Sequence, residues 1–178
     1  MQSDHSLGRD EAQLGVGHTG FIPLNWNIKA TVDKFHGTER EGNLEAVPYE
    51  TIEREGNILV TVGITAMLNL LSAEASPTAF SNADGYIAVG SNATAAAIGD
   101  TTLGTELDRQ GMDGVFPTVA SNVCTWKSVF ATGDSDGAWE EWGILNAAAA
   151  GTLLNHKITS FGTKSGGTWT FTVTLTIT

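Results

Sequence analysis

The most regular pattern in the chain is the run LNWNIKATVDKF, where Leu24, Trp26, Ile28, Ala30 and Val32 alternate with Asn25, Asn27, Lys29, Thr31 and Asp33. Successive side chains of a strand point to opposite faces, so the run predicts a half-buried strand with one apolar face. The C-terminal run TWTFTVTLTIT carries the same pattern more strongly. Trp169, Phe171, Val173, Leu175 and Ile177 alternate there with six threonines between Thr168 and Thr178. A strand of that length is not stable as a bare edge, so it is expected to pair inside a sheet or against a neighbouring subunit.

Shorter β-type runs lie between these two. LEAVPYETI reads as a second strand that Pro48 confines to an edge or a bulge. GYIAVG reads as a buried strand, and VFPTVASNVCTWKSVFATG holds one or two more, rich in β-branched and aromatic residues. A further strand is expected near residues 152–161, and GDSDG and GTKSGG read as turns. One segment changes period. In ILVTVGITAMLNLLSAEASP, Ile64, Met67, Leu68 and Leu71 follow the spacing of an amphipathic helix, with Thr61 as its cap and Pro77 beyond its end. That helix is expected to cover one end of a sheet core with its apolar stripe. Some seven strands and one helix, without regular βα alternation or a long repeat, predict a β-sandwich or jelly-roll-like domain. Residues 1–21 are polar and glycine-bearing and read as an N-terminal arm, with residues 22–178 as a single domain.

Charge narrows the partners. The formal net charge is −11, from 20 acidic and 9 basic residues. No basic patch is visible, so neither nucleic acid nor an anionic membrane is an expected partner. No apolar run reaches the length of a membrane span, and the N-terminus lacks the apolar stretch of a secretion signal. The single cysteine, Cys124, lies in a strand-like run and is expected to be a buried thiol rather than a nucleophile.

The chemistry-bearing motifs are incomplete. Gly15-Val16-Gly17-His18-Thr19-Gly20 spells G-x-G-x-x-G, but neither a strand before it nor a helix after it is expected. The stretch IAVGSNATAAAIGDTTLGTELDR (residues 87–109) lacks the lysine of a phosphate loop. It reads instead as a core strand, a pliable surface connection from Gly90 to Asp100, and an anchoring turn. In that turn Leu103 and Leu107 pack inward, and Glu106 pairs with Arg109 if the turn is helical. Asp134 and Asp136 are the weak calcium candidates, with too few ligands for a regular calcium loop. Glu140 and Glu141, between Trp139 and Trp142, are adjacent and so cannot face each other across one sugar ring. The four histidines show no metal spacing, and no Ser-His-Asp set stands out. No catalytic residue, resident metal or cofactor is expected, and the chain is not expected to be an enzyme.

Five segments in order carry a resemblance: WNIKATVDKFHG, EGNILVTVGITAMLNLL, YIAVGSNATAAAIGDTTLGTELDR, EEWGILNAAAAGTLLNHKI and GGTWTFTVTLTIT. Together, over residues 22–178, the chain resembles virion structural proteins of tailed bacteriophages, of the tail-fibre-like, head-fibre or capsid decoration (cement) type. Two positions depart from that pattern: Trp142 stands between Glu141 and Gly143, and His156 stands where arginine often follows GTLL. The resemblance implies a non-catalytic β-sandwich, made in the host cytoplasm and placed on the outer capsid surface. Its implied partners are the major capsid protein and further copies of itself, most simply as a trimer. The alternative is a tail-fibre or receptor-binding module that contacts host glycans through tryptophans. Phe21, Trp139, Trp142 and His156 are the residues expected at interfaces.

Overall fold

β1 (Trp26–Phe35) and β10 (Thr168–Ile177) pair antiparallel along their whole length, with Trp26 opposite Ile177 and Phe35 opposite Thr168. A computed structural model describes residues 25–40, 43–74 and 76–178; the arm and its Gly15–Gly20 motif lie outside them. The two alternating runs face the same way. Ile28 lies opposite Leu175, Ala30 opposite Val173 and Val32 opposite Phe171, all buried. Cross-strand apolar pairs of this kind fix the register, because a slip of one residue would turn the whole apolar set to solvent.

On its other side β10 pairs with β7 (Val123–Phe130). β2 (Glu50–Glu55) flanks β1 and β6 (Thr118–Ala120) flanks β7, giving a five-stranded sheet in the order β2-β1-β10-β7-β6. The terminal strand is therefore the centre of a sheet. As Pro48 suggested, β2 is an edge, and it begins only after the proline.

The second five-stranded sheet has the order β3-β9-β8-β4-β5. Its members are β3 (Ile58–Leu59), β4 (Tyr86–Gly90), β5 (Glu106–Gly111), β8 (Gly137–Leu145) and β9 (Asn155–Lys164). The two sheets pack face to face as a β-sandwich around Trp126, Phe130, Trp139, Trp142, Phe161 and Phe171, among others. Trp139 sits at the centre, with its ring 4.7 Å from those of Phe130 and Trp169 in edge-on contact. Full burial of each such side chain contributes about 1.5–3 kcal/mol, so this aromatic cluster is a major source of cohesion.

A smaller apolar cluster lies on the other face of the second sheet. Ala88, Leu103, Leu145, Leu153 and Val60 form it. Segment 91–105, between β4 and β5, covers that face through Leu103, so the domain has a thin third layer there. Leu103 packs inward as expected, whereas Leu107 is part exposed because it is the extra residue of a bulge. Gly90 pairs with Glu106 and Val89 with Asp108, leaving Leu107 unopposed. The bulge resets the alternation and brings Glu106 and Arg109 to one face. They pair at 2.6 Å within strand β5, so the pair forms without a helical turn.

The helix forms where expected, but only part of its predicted stripe reaches the core. α1 spans Thr61–Ser72, and its buried positions are Gly63 and Ala66. Of the predicted core stripe, Met67 packs partly buried against the core, whereas Ile64, Leu68 and Leu71 are exposed, Leu71 at 86%. The cause is backbone proximity. A Cβ at Gly63 would lie 2.6 Å from the Leu154 Cα and run into the Leu154 carbonyl, so only the small-residue face can seat so closely. Val60 occupies the cap position without a side-chain bond, and Thr61 is the first helical residue. The Thr61 N–H and hydroxyl instead donate to the carbonyl of Ile98.

The Gly63 seat generates a contrast. Gly63→Ala is expected to lower the unfolding free energy by about 1–3 kcal/mol despite alanine's better helix propensity. Gly99→Ala, with nothing within 4 Å of an added Cβ, should stay within about 0.5 kcal/mol. Chemical denaturation of the two variants checks both.

Candidate functional site

β8 carries Glu141 on the face covered by segment 91–105, and the carboxylate is 1% exposed. A buried carboxylate requires donors for its lone pairs. Here Oε1 accepts from the backbone N–H of Thr105 at 2.6 Å and of Asn92 at 3.3 Å. Oε2 accepts from the Gly104 N–H at 2.8 Å and lies 2.9 Å from His156 Nε2. One side chain thus gathers both ends of the segment. Ser91 N–H also donates to the Thr105 carbonyl at 2.9 Å, closing its base.

His156, on β9, is 3% exposed and has a second acidic partner. Its Nδ1 lies 2.6 Å from Asp100 Oδ2, within the segment itself. The ring thus bridges the two carboxylates, one at each nitrogen. Asp100 Oδ2 also accepts the Ala97 N–H at 2.8 Å. That backbone bond, with His156 second, holds the Asp100 carboxyl below the usual aspartate range. The connection read as pliable, Gly90 to Asp100, is therefore tied down at Asn92 and Asp100, and the anchoring turn after it at Gly104 and Thr105.

Glycines make the arrangement possible. A Cβ at Gly90 would run into Glu141 Oε1 and lie 2.5 Å from the Thr105 carbonyl oxygen. A Cβ at Gly104 would occupy the place of the Asn92 side-chain amide. A cavity of about 370 Å³ remains between the segment and His156, rimmed by Asn92, Thr94, Asp100, Thr101 and Thr102. The rim is hydroxyl and amide in character. Both imidazole nitrogens lie within hydrogen-bond distance of carboxylates. The cluster ties the loop to the sheet through side-chain and backbone hydrogen bonds.

The other candidate residues lie elsewhere. Trp139 and Trp142 are 0% and 1% exposed and pack between the sheets, so as interface residues they are corrected. Strict alternation would send them to opposite faces, but the register irregularity between Trp139 and Glu141 brings both into the core. Neither presents a ring to a sugar. His156 is likewise an interior residue, and Phe21 lies outside the described residues. Glu140 takes a bond from the exposed Ser160 hydroxyl at 2.9 Å and is not part of the Glu141 cluster.

The weak calcium candidates are occupied by protein groups. Asp134 Oδ2 accepts the Ala131 N–H at 2.9 Å and closes its own turn. Asp136 Oδ1 receives the Gly166 N–H and, at 3.3 Å, the buried Lys164 ammonium. Among the described residues no group of three or more His, Cys, Asp or Glu is arranged to hold a metal. Cys124 is half-buried, and burial pushes its thiol up to about 11, away from the reactive thiolate.

Sequence reasoning missed Asp100 and the Glu141–His156 contact. The available signal was Glu141 itself, a carboxylate set among Trp139, Trp142, Ile144 and Leu145. No family profile, curated protein or solved structure matches the chain.

Two outcomes follow from the clamp. Glu141→Gln turns an amide N–H₂ toward backbone N–H groups that themselves donate, and should cost about 1–3 kcal/mol. Amide exchange at Asn92, Gly104 and Thr105 should rise with it while β1 and β10 stay protected. The folded-state shift of Asp100 is downward, so its stabilisation is present above pH 3.8, the ordinary aspartate value, and is lost as pH falls below it. Thermal melts between pH 3 and 6 should show a shallower acid decline in Asp100→Asn than in the parent chain.

Proposed function

We propose that the chain is a structural protein of the outer surface of a tailed-bacteriophage virion, a capsid decoration protein that binds and stabilises the assembled shell. The reading rests on the five-segment resemblance and on a β-sandwich fold that accords with it. The observation that carries it is the loop clamp. A buried acid–imidazole–acid chain, Glu141–His156–Asp100, is committed to holding segment 91–105 in one shape. The segment is mostly small and uncharged, with Ile98 60% exposed. A loop fixed in advance loses little entropy on docking, which suits a protein that must tile a repeating surface.

Binding only the assembled shell stabilises that form by mass action. The net charge of −11 disfavours contact with packaged DNA and accords with an outer location. The partners in this reading are the major capsid protein and neighbouring copies of the chain, with a trimer the simplest match to local capsid symmetry. The long terminal strand is committed to the sheet centre, so subunit contacts fall to loops, to sheet edges and to the arm. A glycan-binding tail module would have to use aromatic residues other than Trp139 and Trp142.

The test is addition of purified protein to shells that lack it. Saturable binding in proportion to the capsid lattice, a raised shell disruption temperature and weaker binding by Ile98→Asp are expected. No binding to shells, or a few copies confined to the tail, contradicts the proposal.

A further inference from the structure

His156 joins two carboxylates, and that bridge has a proton requirement. Its contacts to Asp100 Oδ2 and Glu141 Oε2 are 2.6 and 2.9 Å, hydrogen-bond lengths, so each needs a hydrogen between its two atoms. An ionised carboxylate has none to give, and a neutral imidazole has one. The three groups therefore have to share two protons. That count is the same whether both sit on the ring or one sits on a carboxyl oxygen. With a single proton, a ring lone pair meets a carboxylate lone pair at one of the two contacts.

The two ends are unequal. Glu141 has a side chain 0% exposed, and its carboxylate is also held by the N–H groups of Asn92, Gly104 and Thr105. The Asp100 side chain is 30% exposed, and its other bond, from the Ala97 N–H, lies within the segment itself. Among the described residues, His156 is the only sheet residue bonded to it. The cavity of about 370 Å³ beside Asp100 gives its carboxylate room to turn toward water.

Neighbouring charges are engaged elsewhere. Asp100 is the only ionisable side chain of segment 91–105, and β3 and α1 have none. On β8, Glu140 is bonded to the Ser160 hydroxyl. On β5, Glu106 is paired with Arg109. On β4, Tyr86 lies at the far end of the strand from Gly90, the partner of Glu141. On β9, Lys157 follows His156 but places its Nζ beside Gly56.

We infer that the clamp is a proton-operated catch. With two protons shared among Asp100, His156 and Glu141 it holds the segment shut. When rising pH removes one, Asp100 leaves the ring and residues 93–102 come free. Asn92, Gly104 and Thr105 stay pinned by Glu141, so the opening is confined to the middle of the segment. The catch sets whether the loop that carries the exposed Ile98 is presented in one shape or in many, wherever the protein acts.

The experiment follows methyl relaxation of Ala95, Ala96 and Ala97 in the full chain from pH 6 to 10, together with the His156 Cε1 resonance. Methyl-axis order parameters of about 0.85 at the lower end should fall below about 0.6 at the upper end. The fall should track the ring resonance, while the Ala30 and Ala88 methyls in the two sheets stay unchanged. In His156→Gln the pH dependence should vanish, because the amide does not titrate in this range. Segment methyls that stay rigid to pH 10 in the unmodified chain, or that loosen with the same pH dependence in His156→Gln, overturn the inference. Should that variant not fold, the unmodified chain decides: loosening at a pH where the ring resonance does not move also overturns it.

Discussion

The second sheet depends on one interior carboxylate. Glu141 is buried, and burying a charge without donors costs far more than any single contact returns. The chain meets that demand with three backbone N–H groups and an imidazole, all from segment 91–105 and from β9. The requirement runs in both directions. The loop needs the carboxylate to satisfy its own N–H groups, and the carboxylate needs the loop to be folded over it. Charge-assisted bonds of this type are roughly twice as strong as neutral ones, and their loss leaves several buried donors without partners at once.

The surrounding structure follows from that requirement. Gly90 and Gly104 lack side chains where the carboxylate and Asn92 pass. The bulge at Leu107 lets β5 leave the segment and still return Arg109 to Glu106, whence its guanidinium donates to the Ala147 and Ala150 carbonyls at 2.9 Å. The carbonyl of Ile98, in the same segment, takes the first N–H of α1. The helix start, the loop and the β8–β9 pair are thus one connected unit. Beneath them Leu103, Leu145 and Leu153 exclude water, which strengthens every electrostatic contact above.

The parts legible in the sequence are those in which one face is buried and the other is not. β1 and β10 follow that rule, and their alternation places Ile28 and Phe171 in the core, whereas β4, covered on both faces, and β7 were legible as short runs of apolar, β-branched and aromatic residues. β8 was not legible because both of its faces are covered and its register breaks beside Trp139. β5 was not, because an edge strand of sequence ELDRQG carries charge where a core strand carries apolar residues. The helix was placed correctly, but of its predicted stripe only Met67 reaches the core. Its stripe of large residues was conspicuous, but backbone clearance at Gly63 decided which side seats on Leu154. The clamp joins residues 100, 141 and 156, which only the folded sheet brings together. His156 stood out as a departure from the bacteriophage pattern, but its partners had no local signature.

The central claim is that buried electrostatics fixes segment 91–105 as firmly as the strands it joins. Backbone ¹⁵N relaxation measures that directly in the unmodified protein. Order parameters of about 0.85 from Asn92 to Thr105, equal to those of β4 and β8, are the result predicted. Values below about 0.6 across Ala93–Thr102, with β4 and β8 still rigid, would show a loop that Glu141 and His156 do not hold, and would contradict the account.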